Sequence, residues 1–347
     1  MIKDDVFNSK LGVLAITLGG RKVASSRVRA HEPLALACSR GIKTKVIEVH
    51  GNRLWPISLV AWLIFRRPRI LVIQKVLPPI WLTGIIRWVA RDLRVELDDA
   101  VYFGYPGASE QKLSQSVNRS RRLFQAADRV VVTTPTIAAD IQRIAGVQAW
   151  PFAGPAPSGP LAEFASKPGI LWLGSPSTIA NVEPLIPALS SWVAGKSGGP
   201  ELLWIVGAVA DASTDAPVRV RRWSPEVERT ALAECSIGLM PLTDDVWNRR
   251  KAAFKVLVYL ANGVIPVVPD VPAVRALLGD QLNELCVEVA NPSRPQSWVD
   301  AVGSAWSVPV GGAWVDARDR LFANLSVDNY LNVLLGDTLE KHGMTGK

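Results

Sequence analysis

Cysteine and histidine are scarce, with three of each in 347 residues, and that scarcity narrows the chemistry. Cys38, Cys235 and Cys286 lie far apart in apolar runs, with neither metal-ligand spacing nor an even disulfide set, so a reduced, cytosolic setting is expected. His31, His50 and His342 form no triad with the serines, and GxSxG does not occur. A GxGxxG fingerprint after the first strand is also missing, which argues against an oxidoreductase. The start, MIKDDVFNSK, is polar and acidic where a signal peptide would be basic and then apolar. The longest apolar run, Leu54 to Phe65, contains Pro56 and is too short to span a bilayer. Zinc-finger spacing, an RNP-type aromatic strand and a basic helix array are all lacking, so nucleic acid is not an expected partner. With no cluster of metal-ligating residues, neither metal nor other cofactor is expected.

What is present describes a globular chain. Of its residues, 48% are apolar and 20% charged, and the length suits two domains, each with its own core. The net charge of +8 is unevenly spread: through Trp150 there are 23 Lys and Arg against 11 Asp and Glu, and beyond it 16 against 20. A basic first half can serve an anionic substrate or an anionic membrane surface.

Near-continuous apolar strands alternate with helical patterns in both halves, which indicates parallel sheets covered on both faces. The proline- and glycine-rich stretch WPFAGPAPSGP, from Trp150 to Pro160, reads as a linker. The expected fold class is α/β, with two tandem Rossmann-like domains facing a cleft. Residues 1–152 form the first and 153–325 the second. A C-terminal helix over 326–347, with Ser326 as N-cap, is expected to pack back on the first domain.

The stretch from Asp244 to Val268, DDVWNRRKAAFKVLVYLANGVIPVV, reads as an acidic loop, a helix from Arg250 to Asn262 and a buried strand. Lys251 and Lys255, four apart on that helix, would share a face near its positive end and hold a diphosphate. Two solvated lysines on a surface helix is the other reading. Trp247 and Asn248, just before them, join the candidate donor contacts. Asp244 and Asp245 either orient a sugar hydroxyl or neutralise Arg249 and Arg250. Further upstream, GILWLGSPST is a buried strand ending at Gly174 and Ser175, where backbone amides can approach a phosphate, unless this is an ordinary turn.

GILWLGSPST followed by RRWSPEVERTALAECSIGLMPLTDDVWNRRKAAFKVLVYLANGVIPVV resembles the donor-binding half of GT-B glycosyltransferases of the family 4 (group 1) kind. LAITLGGRKVASSRVRAHEPLALACSRGIKTKVIEV, RILVIQK, RVELDDAVYF and AADRVVVTTPTIAADI resemble parts of their first domain. The resemblance implies a nucleotide-sugar donor, a glycan or lipid-linked acceptor, and a metal-independent, retaining hexosyl transfer. It places Ser26, Arg27 and Arg29 in an acceptor loop, and Asp98 or Asp99 as acceptor base or hydroxyl holder. Solvation of the loop, and a helix cap with a salt bridge, are the corresponding plain readings. Where the family carries two glutamates, this chain has Arg250 and Val258. A sugar-nucleotide epimerase and a catalytically silent binding subunit are the alternatives.

Two helical patterns add a membrane expectation. Leu54 to Phe65 is apolar on every side and runs into Arg66, Arg67 and Arg69, while Pro79 to Arg91 carries Trp81 and Trp88 with Arg87 and Arg91 opposite. Interfacial helices combine such features, although packing on a sheet explains the second helix as well.

Overall fold

A computed structural model describes residues 12–104, 109–195, 199–213, 217–243, 245–308 and 310–341. The chain divides into two compact units. The first comprises the residues up to Pro155, the three residues Arg250–Ala252 and the segment from Leu325 on. The second comprises Ala156–Arg249 and Ala253–Asn324.

The first unit is built on six parallel strands: β1 (Val13–Thr17), β2 (Thr44–Glu48), β3 (Ile70–Gln74), β4 (Leu93–Leu97), β5 (Arg129–Val132) and β6 (Ala149–Pro151). They lie in the order β2-β1-β3-β4-β5-β6, so the winding reverses between β1 and β3. All positions of β1, β3 and β4 are buried, as uninterrupted apolar strands require when helices cover both faces. The helical elements are α1 (Ala24–Ser26), α2 (Glu32–Ser39), α3 (Trp55–Arg66), α4 (Ile80–Val89), α5 (Glu110–Ala126) and α6 (Pro135–Ala145). Leu59 and Leu63 of α3, Leu82 and Ile86 of α4, Phe124 of α5 and Ile137 of α6 share one core with Leu14 and Ile16. On the other face Leu34 and Ala37 of α2 meet Val13 and Ala15.

Two expectations need correction here. The expected loop over Ser26, Arg27 and Arg29 is helical: α1 runs through a π-helical turn, Arg27–His31, into α2. Pro33 is accommodated inside this continuous run, as the second residue of α2. The expected linker at Trp150 begins too early, since Trp150 and Pro151 pair with Val131 and Val132 as edge strand β6. An edge position tolerates Pro151, because one side of the strand needs no N–H.

The second unit holds β7 (Gly169–Leu173), β8 (Leu202–Val206), β9 (Ala212–Ser213), β10 (Val218–Arg221), β11 (Cys235–Leu239), β12 (Ile265–Pro269) and β13 (Val287–Val289). Their order is β13-β12-β11-β7-β8-β10-β9, all parallel except the two-residue β9. Winding outward from β7 in both directions makes this a doubly wound Rossmann sheet with its switch point between β7 and β11. The helices are α7 (Ile186–Gly195), α8 (Pro225–Glu234), α9 (Phe254–Ala261), α10 (Pro272–Leu278), α11 (Leu282–Leu285), α12 (Pro295–Ser307) and α13 (Gly312–Asn324). Helices α7 and α12 cover one face, α8 and α9 the other.

Three features of this unit bear on the site. After β7 the chain forms 3-10 turns, Pro176–Asn181 and Glu183–Leu185, before α7 begins at Ile186. Helix α9 starts at Phe254, not Arg250. Helix α13 was not anticipated.

The last helix, α14 (Val327–Lys341), belongs to the first unit. As expected, Ser326 Oγ accepts from the Asn329 amide, 3.3 Å away, and Tyr330, Leu331, Leu334 and Leu335 bury against Val13, Ala15 and Leu34.

Candidate functional site

In the second unit, two strands part at the switch point, and the polar groups they expose there must be satisfied. Tyr259 of α9 does this: its hydroxyl accepts from the Leu173 amide at 3.0 Å and donates to the Leu239 carbonyl at 2.9 Å, joining the ends of β7 and β11. Its ring rests on Gly238, where any β-carbon would collide with it. Burial raises the Tyr259 hydroxyl, so it stays protonated and can donate.

Gly174 lies just beyond β7, and its lack of a side chain serves packing. A β-carbon there would strike the fully buried Trp172 ring. Gly207, at φ +111°, brings the β8 turn against the Gly174 carbonyl, an approach that also excludes a β-carbon. The Lys255 ammonium lies 4.7 Å from the centroid of the Trp172 ring, a cation–π contact. Ser175 is exposed, with its amide donating to Thr178 Oγ1 at 3.1 Å. Thus Gly174, Ser175 and Lys255 are all at or near the carboxyl edge of the sheet.

Asp245 organises the loop that follows β11. Its Oδ1 accepts from the amides of Trp247 and Asn248, each at 2.8 Å, and its Oδ2 from Thr243 Oγ1 and Asn248 Nδ2, each at 2.7 Å. Burial pushes this carboxyl up, but the four donors outweigh it and hold it below the usual aspartate range. Asn248 is buried and also donates to Thr243 Oγ1 at 2.8 Å. Asp245 therefore caps its own turn, and Asn248 braces it. Neither role was read from the sequence, which had offered Asp245 to a sugar hydroxyl or to arginines. Asp244 lies outside the described residues.

Lys251 and Lys255 do not share a helical face. Lys255 is the second residue of α9, whereas Lys251 precedes the helix in an irregular stretch counted with the first unit. The cause is next door: Arg250 Nε pairs with Asp140, its Nη2 lies 3.3 Å from Asp140 Oδ1, and its guanidinium stacks 5.0 Å from the Phe103 ring centroid. That anchor holds the segment off a helical path. Asp140 also accepts from Tyr102 Oη at 2.8 Å and pairs with Arg143.

In the first unit, register aligns Thr17, Gln74 and Glu96 as one buried row across the carboxyl ends of β1, β3 and β4. Ser26 Oγ accepts from the Gly19 amide and donates to Gln74 Oε1, both at 3.2 Å. Arg29 is 5% exposed, pairs with Glu96 and donates to the Gly154 carbonyl. It is therefore an internal arginine, which rules out the plain reading of a solvated loop residue. Arg27 is half-buried, its Nε 3.7 Å from Glu32. Lys75, at a left-handed φ of 57°, reaches Asp99 and lies 3.2 Å from Asp98 Oδ1.

Burial pushes the Glu96 carboxyl up to about 7, against the pull of Arg29 and with help from Asp98. Burial also raises Asp98, opposed by Lys75 and reinforced by Asp99. Arg29 Nη2, Gln74 Nε2 and Glu96 Oε2 are buried without a hydrogen-bond partner, so the row retains both donor and acceptor capacity. Sequence reading found Ser26, Arg29, Asp98 and Asp99 but missed Gln74, Lys75 and Glu96. A glutamate inside the buried strand LRVEL was the available signal.

Among the described residues no grouping of three or more His, Cys, Asp or Glu could hold a metal ion, and no helix is long and apolar enough to cross a membrane.

No protein-family model and no curated protein matches the chain. Solved structures do. Sucrose-phosphate synthase from Thermosynechococcus elongatus is similar over 96% of this chain and 100% of its own, at 13% identity and a TM-score of 0.66. Anabaena HepE, in complex with UDP, matches over 95% and 100%, at 12% identity and 0.58. The catalytic domain of starch synthase IV from Arabidopsis thaliana, bound to ADP and acarbose, matches over 96% and 98%, at 10% identity and 0.57. At such identities the likeness concerns the fold, and the fold is GT-B.

Proposed function

We propose that this chain is a glycosyltransferase that moves a hexosyl group from a nucleotide-sugar donor to a glycan or lipid-linked acceptor, with retention and without a metal, in cell-surface polysaccharide synthesis at the cytoplasmic membrane face. The observation that carries this reading is the second unit's switch point, where Tyr259 ties two strand ends together beside Gly174, Ser175 and Lys255. Ligands of doubly wound sheets bind outside that point. The UDP and ADP bound to two of the similar structures support a nucleoside diphosphate as the ligand.

In the reaction, the acceptor oxygen bonds to the anomeric carbon as the bond from that carbon to the diphosphate breaks. The electron pair leaves with the diphosphate, and charge developing there is the main target for electrostatic help. Lys255, with Lys251 as a second cation, supplies it; Trp247 flanks the nucleotide. The acceptor would lie on the first unit, near Ser26, Arg27 and the Arg29 row. Asp98 is proposed to take or position the acceptor proton, since its burial makes it the stronger base, while Asp99 holds Lys75.

A silent nucleotide-sugar-binding subunit is the second reading, favoured by Arg250, which stands at a family glutamate position and is committed to Asp140. A thermal-shift screen across nucleoside diphosphates tests both, because ligands of the folded state raise its stability. The protein is then incubated with the sugar nucleotide of the best base and a lipid and glycan extract, with products read by mass spectrometry. No shift with any diphosphate sinks both readings. Binding without transfer or donor turnover leaves the silent subunit, and conversion of donor alone leaves an epimerase.

A further inference from the structure

Of the helices that cover one side of the first sheet, α3 and α4 each leave a second apolar stripe outside. On α3, Ile57 is 67% and Phe65 81% exposed, and Leu54, just before the helix, is 64% exposed. On α4, Trp81 and Trp88, seven residues apart on one stripe, are 60% and 88% exposed. Both helices bury their opposite sides, Leu59 and Leu63 or Leu82 and Ile86, in the same core, so their outward stripes lie on one side of the unit. Trp62 of α3 is half-buried, with Lys45 and Arg66 5.8 and 5.6 Å from its ring centroid.

The charge around these stripes decides what fits them. From Val49 to Arg91 there is no Asp or Glu and there are six arginines. Arg53, Arg67 and Arg91 are exposed, Arg67 in the left-handed residue that ends α3. Arg87 lies 3.7 Å from Asp128. Large apolar side chains standing out on helix ridges, with exposed arginines beside them, match the boundary between lipid headgroups and acyl chains. Tryptophan suits that layer, and arginine reaches outward to phosphate.

We propose that the outer face of α3 and α4 docks on the surface of an anionic lipid bilayer, with Phe65, Trp81 and Trp88 entering the headgroup boundary and Arg67 and Arg91 facing lipid phosphates. This inference stands on exposure and charge alone and does not depend on the sugar-transfer reading. Flotation with vesicles tests it, comparing phosphatidylcholine alone with phosphatidylcholine plus phosphatidylglycerol. The wild-type chain is expected to float with the anionic vesicles and far less with the neutral ones. Arg67→Ser with Arg91→Ser should lower the partition coefficient roughly 30-fold, at about 1 kcal/mol per arginine. Phe65→Ser with Trp88→Ser should abolish flotation while leaving the thermal shift by nucleoside diphosphates unchanged, since both residues are exposed. Equal recovery with neutral and anionic vesicles, or flotation unaffected by either pair, overturns the proposal. So does a wild-type dimer that Phe65→Ser with Trp88→Ser converts to monomer, because a second copy would then be the occupant.

Discussion

The hydroxyl of Tyr330 donates to the carbonyl of Arg29 at 2.9 Å, across 301 residues of chain. In an α-helix that carbonyl would receive the N–H of the residue four positions on, which here is Pro33 and has none to give. Arg29 lies in the π-helical turn, and the contact gives its carbonyl a donor from α14. It also places the buried Tyr330 ring 5.5 Å from Phe152 and 5.1 Å from the Arg29 guanidinium, centroid distances that hold α14 over the polar row.

Tyr330→Phe keeps the ring contacts and deletes the hydroxyl. Leaving a buried carbonyl short of a donor costs about 1–2 kcal/mol, so urea unfolding of the variant should show a lower midpoint with unchanged slope. An unchanged midpoint would mean that the carbonyl finds another donor.

Glu96 makes stability depend on pH in a defined direction. Its folded pKa is raised from 4.5 to about 7, so the folded chain holds this proton more tightly than the unfolded one. The contribution is complete below the unfolded value and is lost as pH rises from 4.5 through about 7. Glu96→Gln removes that titration, so the variant should gain on the wild type across this window, by at most about 1.4 kcal/mol per pH unit for one linked proton. Parallel curves of unfolding free energy against pH would contradict the assignment.

Lys255→Ala should weaken nucleoside diphosphate binding roughly ten-fold or more, the scale of one charge-assisted hydrogen bond. Lys251→Ala, outside the helix, tests whether the irregular segment also reaches the ligand. Titration calorimetry on both variants reads the dissociation constants directly. If neither constant moves, the lysines have no part in the donor site.

Gly174→Ala forces a methyl group into the Trp172 ring and should cost about 1–3 kcal/mol of stability. In a Trp172→Leu background the penalty should shrink, since the obstructing ring is gone. The double-mutant cycle separates this packing role from a phosphate-approach role, which would leave the penalty in place and appear instead in nucleotide affinity.

Much of the fold was legible because its signals are local. Apolar runs such as VLAIT and ILVIQ are buried on both faces, which follows from their composition, and helices covering a parallel sheet follow from the alternation. Ser326 read correctly as a cap because capping involves residues three apart. The candidate site was legible only in part. Asp98 and Asp99 were found at a strand end and Ser26 and Arg29 in the segment after the first strand, but Gln74 and Glu96 are polar residues within apolar strands, and their register partners lie in other segments.

By itself, then, the sequence determined the two α/β units, most of the strands that wind each sheet and the helix that closes the chain, since periodicity and burial are properties of neighbouring residues. Tertiary structure alone decided what those elements do at their edges. Arg250 leaves the expected helix because Asp140, 110 residues away, holds it, and that moves Lys251 off the face of Lys255. Trp172 claims the space beside Gly174, and Tyr259 the gap between β7 and β11. Each is a contact between residues distant in the chain, where the partner's identity depends on packing that no local pattern encodes.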